Sequence, residues 1–253
     1  MTSNASPEQF ISEYAALLLC SGATCARLEK NVKRIADTWG YNMEMAIMPR
    51  HIHITITYID NHSTTLIKGL EKTHISFDMV TRLSKLSWEI ADNNKDIDYA
   101  IKSLNEIEQT KPANRWWVLI AASLANASFC RLFGGDPTAM ATVFTATFAG
   151  YFLKQIMISK KIDIRLIFIA CAFVSLILAT ADSLFNLGHT SEIAIATSVL
   201  YLVPGIPFIN AFSDLIDGHY ICFFSRMTDA IILTACLSMG LCLGMIVMKL
   251  SMF

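Results

Sequence analysis

The chain has 253 residues, of which 54% are hydrophobic and 16% are charged, and its formal net charge is -1. A nearly neutral chain lacks the basic excess that nucleic-acid binding requires, and its seven cysteines form neither a CxxC pair nor a zinc-ligand spacing. Residues 1–114 hold 26 Asp, Glu, Lys and Arg, whereas residues 115–249 hold the other 15. The composition therefore predicts a soluble part followed by an apolar part in the lipid bilayer.

Residues 1–114 are predicted to form a small α+β domain. Ser6-Pro7-Glu8 is a typical helix start, and apolar residues recur at helical spacing as far as Trp39, after which Gly40 ends the helix. The remaining predicted elements are strands at 43–48, 51–58 and about 74–77, then helices near 78–93 and 96–110, the last capped by Asp96.

Two features of this domain are candidates for a catalytic or metal site. His51 and His53 share one face of a predicted strand and could form half of a metal site, but no acidic residue has a matching spacing. A solvated sheet face explains them better. Ser21-Gly22-Ala23-Thr24 follows no strand and has no triad partners, so Gly22 is interpreted as allowing close helix packing. We therefore expect no enzyme site, no metal and no cofactor.

A membrane-spanning helix takes about 20 apolar residues. Five segments after residue 114 are long enough: about 116–133, 137–158, 164–186, 191–210 and 228–248. The predicted fold is thus a cytoplasmic α+β domain (1–114) followed by an all-α bundle of about five transmembrane helices (115–253). The motif GxxxG at Gly240 and Gly244 predicts a contact between subunits.

The distribution of basic residues predicts the orientation of these spans. The outer connections hold only Arg131 near a span end, and the fourth connection adds Arg226 on the inner side. The second connection carries the largest basic group: Lys154, Lys160, Lys161 and Arg165. We expect the N-terminus to be cytoplasmic and the C-terminus to lie outside.

The fourth predicted span, 191–210, cannot run as a regular helix. Pro204 and Pro207 each remove a backbone donor, and Gly205 between them adds conformational freedom. Broken backbone at membrane depth persists only where it is buried in protein or lines a polar cavity. Discontinuous helices of this kind recur at transporter binding sites, so the break predicts a chain that moves a substrate.

Polar residues in or beside the spans are the candidates for substrate binding or ion coupling. An ionisable group at mid-membrane costs roughly 2.5–3.5 kcal/mol on insertion scales, so it is rarely placed there without a role. Asp214 or Asp182 would take up a coupling proton, although Asp182 could instead be solvated at the membrane surface. Asn210 would hydrogen bond a substrate, and Arg226 would pair with an acid or a substrate carboxylate. Asn126, central in the first span, needs a partner for its amide.

Three motifs suggest a family. They are Ser21-Gly22-Ala23-Thr24 followed by Arg27 and Glu29; Phe133-Gly134-Gly135-Asp136; and Val203-Pro204-Gly205-Ile206-Pro207, extended by Asn210, Asp214-Leu215, Gly218 and Arg226. Together they resemble the threonine/serine exporter (ThrE) family, and especially the YjjP-type subunits of its split, two-component form. The Pro-Gly block with its downstream Asn and Asp is the most specific of the three.

The resemblance implies an exporter in the bacterial inner membrane, driven by an ion gradient. Its small-molecule substrates would be threonine and serine, or a dicarboxylate such as succinate. Fused members of the family carry about twice as many spans, which implies a small YjjB-type membrane subunit as partner and an oligomeric assembly. The resemblance also adds Asp136 to the candidate site residues.

Three other functions are compatible with the residues. A membrane-anchored enzyme predicts activity from residues 1–114 alone, which the missing nucleophile and acid pair argue against. A scaffold predicts that Asp182 and Asp214 tolerate replacement by Asn. A channel is also possible, but one chain shows no ring of charges or hydroxyls.

Overall fold

The computed structural model describes residues 6–58, 62–70, 75–110, 112–180 and 190–249. The described elements are α1 (Pro7–Cys20), α2 (Cys25–Thr38), β1 (Asn42–Ile47), β2 (His51–Thr57), β3 (Ser63–Gly69), α3 (Phe77–Asp92), α4 (Ile97–Glu108), α5 (Arg115–Leu132), α6 (Pro137–Ser159), α7 (Ile164–Ala179), α8 (Ser191–Thr197), a short 3-10 helix (Leu200–Leu202), α9 (Gly205–Ile216) and α10 (Tyr220–Val247).

The chain divides into two compact units. The first unit comprises Met1–Lys111 and Ile206–Thr228, and the second comprises Pro112–Gly205 and Asp229–Phe253. Nearly all of α9 and the first part of α10, as far as Thr228, therefore belong with the N-terminal residues, although they are distant from them in sequence; the rest of α10 belongs to the second unit. This grouping places three candidate residues in the first unit: Asn210 at the end of the fourth predicted span, and Asp214 and Arg226 in the connection that follows it.

The first helical region is two helices rather than one, which corrects the single helix expected up to Trp39. α1 ends at Cys20 and α2 begins at Cys25. Gly22 adopts φ +99°, a conformation that side chains disfavour, and a Cβ there would lie 2.9 Å from Cγ2 of Ile75. Thr24 then caps α2 by accepting a hydrogen bond from the Arg27 N–H at 3.4 Å. Gly22 therefore makes a turn, which periodicity alone did not reveal.

The sheet of the first unit is an antiparallel meander in the order β1-β2-β3. Three alternate residues of β2, Ile52, Ile54 and Ile56, are buried in the core that also contains α1 to α4, as the alternation predicted. The third strand expected near 74–77 was wrong: β3 is Ser63–Gly69, residues 75–76 are not in a strand, and Phe77 begins α3. β3 was missed because its residues are only half-buried or exposed. His74 lies outside the described residues.

The second unit contains helices at each predicted span, within the described residues. Among the residues that the structure describes, only α10 is by itself long and apolar enough to cross a membrane. The segment Ser191–Leu202 and α9 pass that test only when they are taken together, and α7 is a shorter apolar helix. The count of five spans therefore stays a prediction. Serine, threonine and asparagine side chains along α5 and α6 lower their hydropathy below that of α10.

The GxxxG motif of α10 packs within the chain. A Cβ on Gly240 would collide with the carbonyl oxygen of Ile169 in α7, and a Cβ on Gly244 would lie 2.8 Å from Cδ2 of Leu176. Small residues allow two helices to approach this closely. The motif thus serves an α7–α10 contact, and the expected contact between subunits is corrected.

Candidate functional site

The broken segment is interrupted at Val203 and Pro204. The 3-10 helix ends at Leu202, and α9 begins at Gly205. Pro207 lies in the first turn of α9, where a missing N–H removes no helical hydrogen bond. Pro204 is therefore the residue that interrupts the helix, while Pro207 is compatible with the helix that follows.

Buried side chains satisfy the carbonyl groups that are freed at the end of α8. The amide of Asn126 donates to the hydroxyl of Thr147 at 3.0 Å and to the carbonyl of Thr197 at 3.5 Å, and Thr147 donates to the carbonyl of Ser198 at 3.4 Å. Asn126 and Thr147 are both buried. The Asn126 amide thus has the partners that its position requires, and the pairing meets the requirement that broken backbone be paired inside protein; a role of Asn126 in substrate binding stays a prediction.

A cluster of aromatic rings surrounds Lys154 in the same unit. Its ammonium nitrogen lies 5.5 Å from the ring centroid of Tyr151, 5.6 Å from that of Phe168 and 6.0 Å from that of Tyr201. These distances are within the range of cation–π attraction. Tyr201 comes just before the break, and its hydroxyl lies 2.9 Å from that of Ser175. We call these five residues the Lys154 cluster.

Lys154 forms no ion pair with a carboxylate in the part of the chain that the structure describes. Gly150, one helical turn before it, makes room for the cluster, because a Cβ there would collide with the hydroxyls of Ser175 and Tyr201. In the sequence, Lys154 is visible only as one of the basic residues that predict the topology. The combination of Gly150, Tyr151 and Lys154 on α6 was the available sign of a functional face.

Asp136 caps α6. Its carboxylate accepts hydrogen bonds from the Ala139 N–H at 2.7 Å and the Thr138 hydroxyl at 2.6 Å, and its own N–H donates to Thr190 at 2.9 Å. A carboxylate at this position satisfies helix N–H groups and is stabilised by the helix dipole. The geometry assigns Asp136 a structural task, and a role in substrate binding stays a prediction.

In the first unit, the hairpin formed by α9 and the start of α10 contacts the turn between α1 and α2 through three side chains. We call these three residues, Asn210, Asp214 and Arg226, the clasp. Asn210 donates its amide to the carbonyl of Gly22 at 2.9 Å, and Arg226 donates Nη2 to the carbonyl of Ala23 at 2.9 Å. Asp214 accepts a hydrogen bond from the Cys25 N–H at 3.0 Å. The structure thus brings three sequence-predicted site residues together on one short stretch of backbone.

A buried ion pair lies at the centre of this clasp. Nη1 of Arg226 is 3.0 Å from Oδ2 of Asp214; the Asp214 side chain is 0% exposed and that of Arg226 is 21% exposed. The carboxylate also faces the N-terminus of α2, whose first residue is Cys25 and whose dipole favours negative charge. The predicted pairing of Arg226 with an acid is confirmed.

Three further contacts surround the pair, and local sequence patterns do not predict them. Nε2 of His219 lies 3.6 Å from a carboxylate oxygen of Glu29, and the His219 N–H donates to the Asp214 carbonyl at 2.7 Å. The side chain of Cys222 and burial both raise the pKa of the Cys25 thiol, so this thiol stays protonated. Glu29 belongs to a sequence motif that does not indicate this contact, and His219 follows the turn residue Gly218 without any periodic signal.

The predicted site residues divide between the two units. Asn210, Asp214 and Arg226 form the clasp; Asn126 and Asp136 belong to the second unit with Pro204 and Gly205; and Pro207 is in α9. Asp182 lies outside the described residues. Among the described residues, no three His, Cys, Asp or Glu are arranged to hold a metal ion.

Comparisons with known proteins identify relatives along nearly the whole chain. Residues 9–248 match the family described as "Putative threonine/serine exporter". The chain is 31% identical over 240 residues to the "Probable succinate transporter subunit YjjP" of Klebsiella aerogenes, covering 91% of this chain and 90% of that protein. It is 26% identical over 230 residues to the protein of the same name in Escherichia coli strain K12, covering 90% and 89%.

A more distant relative is a longer protein. The chain is 22% identical over 242 residues to the "Probable threonine/serine exporter" of Mycobacterium tuberculosis, and the match covers 91% of this chain but 44% of that protein. No solved structure matches the chain significantly.

Proposed function

We propose that this chain, which belongs to the threonine/serine exporter family, is one subunit of a secondary exporter of small carboxylate-bearing metabolites. Family membership makes the chain a membrane transport protein rather than an enzyme. The proposed location is the bacterial inner membrane, with the N-terminus in the cytoplasm and the C-terminus outside. The proposed substrates are a dicarboxylate such as succinate, or threonine and serine; the two relatives named for succinate favour the dicarboxylate.

The proposed partner is a small YjjB-type membrane subunit that completes an oligomeric transporter. Both relatives named YjjP are described as subunits, and the chain covers nine-tenths of their length. It covers less than half of the exporter from Mycobacterium tuberculosis, so that longer protein has room for a second half. A separate subunit would supply this half to the present chain.

The observation that carries the proposal is the Lys154 cluster beside the broken helix. Among the described residues Lys154 has aromatic rings but no carboxylate as ion-pair partner, and such a cation can accept the carboxylate of a substrate without first breaking an ion pair. Hydroxyls of Tyr201 and Ser175 would add hydrogen bonds to the same ligand. The Pro204 break supports this role because it ends the helical segment that carries Tyr201.

Coupling to protons is proposed at Asp214, with Asp182 as the other candidate. A proton on Asp214 would neutralise the charge that holds Arg226 and would weaken the clasp on the α1–α2 turn. The full burial of Asp214 supports this, since a buried charge responds strongly to the loss of its partner. The hydrogen bond from Asn210 to the Gly22 carbonyl would hold the hairpin against the α1–α2 turn while the Asp214–Arg226 pair separates.

The substrate contact can be tested at Lys154. Replacing Lys154 by Gln should reduce succinate export about 10- to 100-fold, since a hydrogen bond to a charged group contributes about 1.5–3 kcal/mol. Lys154→Arg keeps the cation and should retain most of the export. The measurement is efflux of labelled succinate from cells that contain equal amounts of each variant in the membrane.

A matched control separates this role from membrane anchoring. Lys160 is exposed just after α6, so Lys160→Gln should leave export unchanged. If Lys154→Gln exported succinate as fast as Lys160→Gln, Lys154 would be only a residue that extends its charge to the membrane surface, and the proposed substrate contact would be abandoned.

A further inference from the structure

A polar cleft in the first unit has more basic than acidic residues in its lining. It has a volume of about 580 Å³, which is within the range of small-molecule sites. Its lining comes from three helices, α2, α3 and α9, and includes four cations and one carboxylate: Arg27, Lys30, Arg34, Lys85 and Asp217. None of the four cations forms an ion pair with a carboxylate within the described ranges. The cleft therefore has a local excess of positive charge that its own residues do not neutralise.

The spacing of these residues explains how they share one cleft. Arg27, Lys30 and Arg34 follow each other at three- and four-residue intervals, which places them on one face of α2. Lys85 and Trp88 are three apart on α3 and face the same space. The concentration of charge is thus built by two helices and is more than a scatter of surface lysines.

Arg34 is held in place by buried neighbours. Its Nη1 donates to Oδ1 of Asn31 at 3.0 Å and to the hydroxyl of Ser87 at 2.6 Å, and its guanidinium lies 3.6 Å from the ring centroid of Trp88. Asn31 is itself fixed by a 3.0 Å hydrogen bond to Ser84, and both Asn31 and Ser87 are buried. A solvated arginine has no need of such support. This arginine is pre-organised for a planar anion such as a carboxylate or a phosphate.

We propose that this cleft binds a small dianion with carboxylate or phosphate oxygens. Arg34 supplies the fixed contact, and the exposed Lys30 and Lys85 supply mobile cations that close on the second charge. The cleft is separate from the Lys154 cluster, which belongs to the second unit. The proposal therefore does not depend on the transport function.

The cleft shares two elements with the clasp around Asp214. Thr24 lines the cleft and caps α2, whose first N–H binds Asp214; Ser213 lines the cleft from α9 and directly precedes Asp214. An occupant that contacts α2 and α9 together would stabilise their contact. By linkage, weakening the Asp214–Arg226 pair should weaken binding of the anion.

The test is calorimetric titration of the purified full-length protein in detergent with succinate, with inorganic phosphate and with sodium chloride at matched ionic strength. Saturable binding of at least one dianion, absent with chloride and retained by Lys154→Gln, supports the site. Binding that is lost in Lys154→Gln would place the anion at the Lys154 cluster instead and would overturn the assignment. Binding of succinate would identify the transported class as the source, whereas binding of phosphate alone would indicate a phosphate-bearing regulator. No saturable binding of either dianion would overturn the proposal.

The matched variants remove two exposed lysines each. Lys30→Gln with Lys85→Gln should weaken binding at least tenfold, whereas Lys33→Gln with Lys102→Gln, which changes the net charge equally outside the cleft, should leave it unchanged. None of these four side chains has a packing role that would prevent folding, since all are exposed. Equal affinity of the two double variants would show that the anion binds elsewhere and would refute the assignment.

Discussion

Replacement of Arg226 by Met is expected to destabilise the first unit by about 3–5 kcal/mol, because it leaves the buried Asp214 carboxylate without a counter-charge. It also removes the hydrogen bond to the Ala23 carbonyl, which the hairpin uses to hold the α1–α2 turn. Thermal unfolding of the purified protein measures the loss. Arg50→Met is the control, because Arg50 is exposed, and we expect it to change stability by no more than about 0.5 kcal/mol.

The partner variants show whether the loss comes from the charge. Asp214→Asn keeps an acceptor for the Cys25 N–H but removes the negative charge, so combining it with Arg226→Met should recover part of the stability lost in Arg226→Met alone. If the pair couples proton movement to transport, Asp214→Asn should insert normally and fail to export. An Arg226→Met protein that unfolds at the same temperature as Arg50→Met would contradict the buried-pair account.

Replacement of Pro204 and Pro207 together by Ala is expected to abolish export while leaving membrane insertion intact. A proline inside a helix costs about 3 kcal/mol or more, so its removal favours a continuous helix from α8 through α9. A continuous helix would recruit the carbonyls of Thr197 and Ser198 and separate them from Asn126 and Thr147. Tyr201, which lies just before the break, would then move out of its place in the Lys154 cluster.

The structure makes this prediction sharper for the single variants. Pro204 occupies the break, whereas Pro207 lies in the first turn of α9, so Pro204→Ala should cause most of the loss and Pro207→Ala little. Pro137→Ala is the control, because Pro137 begins α6 without interrupting it. Efflux assays at matched protein amounts measure the effect. Full export by a double variant that inserts normally would contradict the proposed role of the break.

Local signals carried the sequence predictions that the structure confirms. Asp96 caps α4 by accepting from the Tyr99 N–H, and alternate isoleucines of β2 enter the core, because caps and alternation depend on residues a few positions apart. The break after Leu202 was also visible, since proline and glycine act on their own turn. These signals fix the type of an element more firmly than its ends.

Contacts between distant residues could not be predicted in the same way. Cys25 and Asp214 are 189 positions apart, and nothing in either local pattern shows that the carboxylate meets the start of α2. The turn at Gly22 was hidden because the apolar spacing of α1 resumes in α2. Lys154 was visible as a charge, but the rings around it come from α6, α7 and the 3-10 helix and converge only in the fold.

The central claim is that this chain exports a small carboxylate-bearing metabolite together with a second subunit. The most direct measurement is efflux of labelled succinate, threonine and serine from cells that express this chain with and without a YjjB-type subunit. We predict efflux of succinate only when both proteins are present, and its loss when the proton gradient is collapsed. Absence of efflux for all three compounds, with both proteins inserted in the membrane, would contradict the claim.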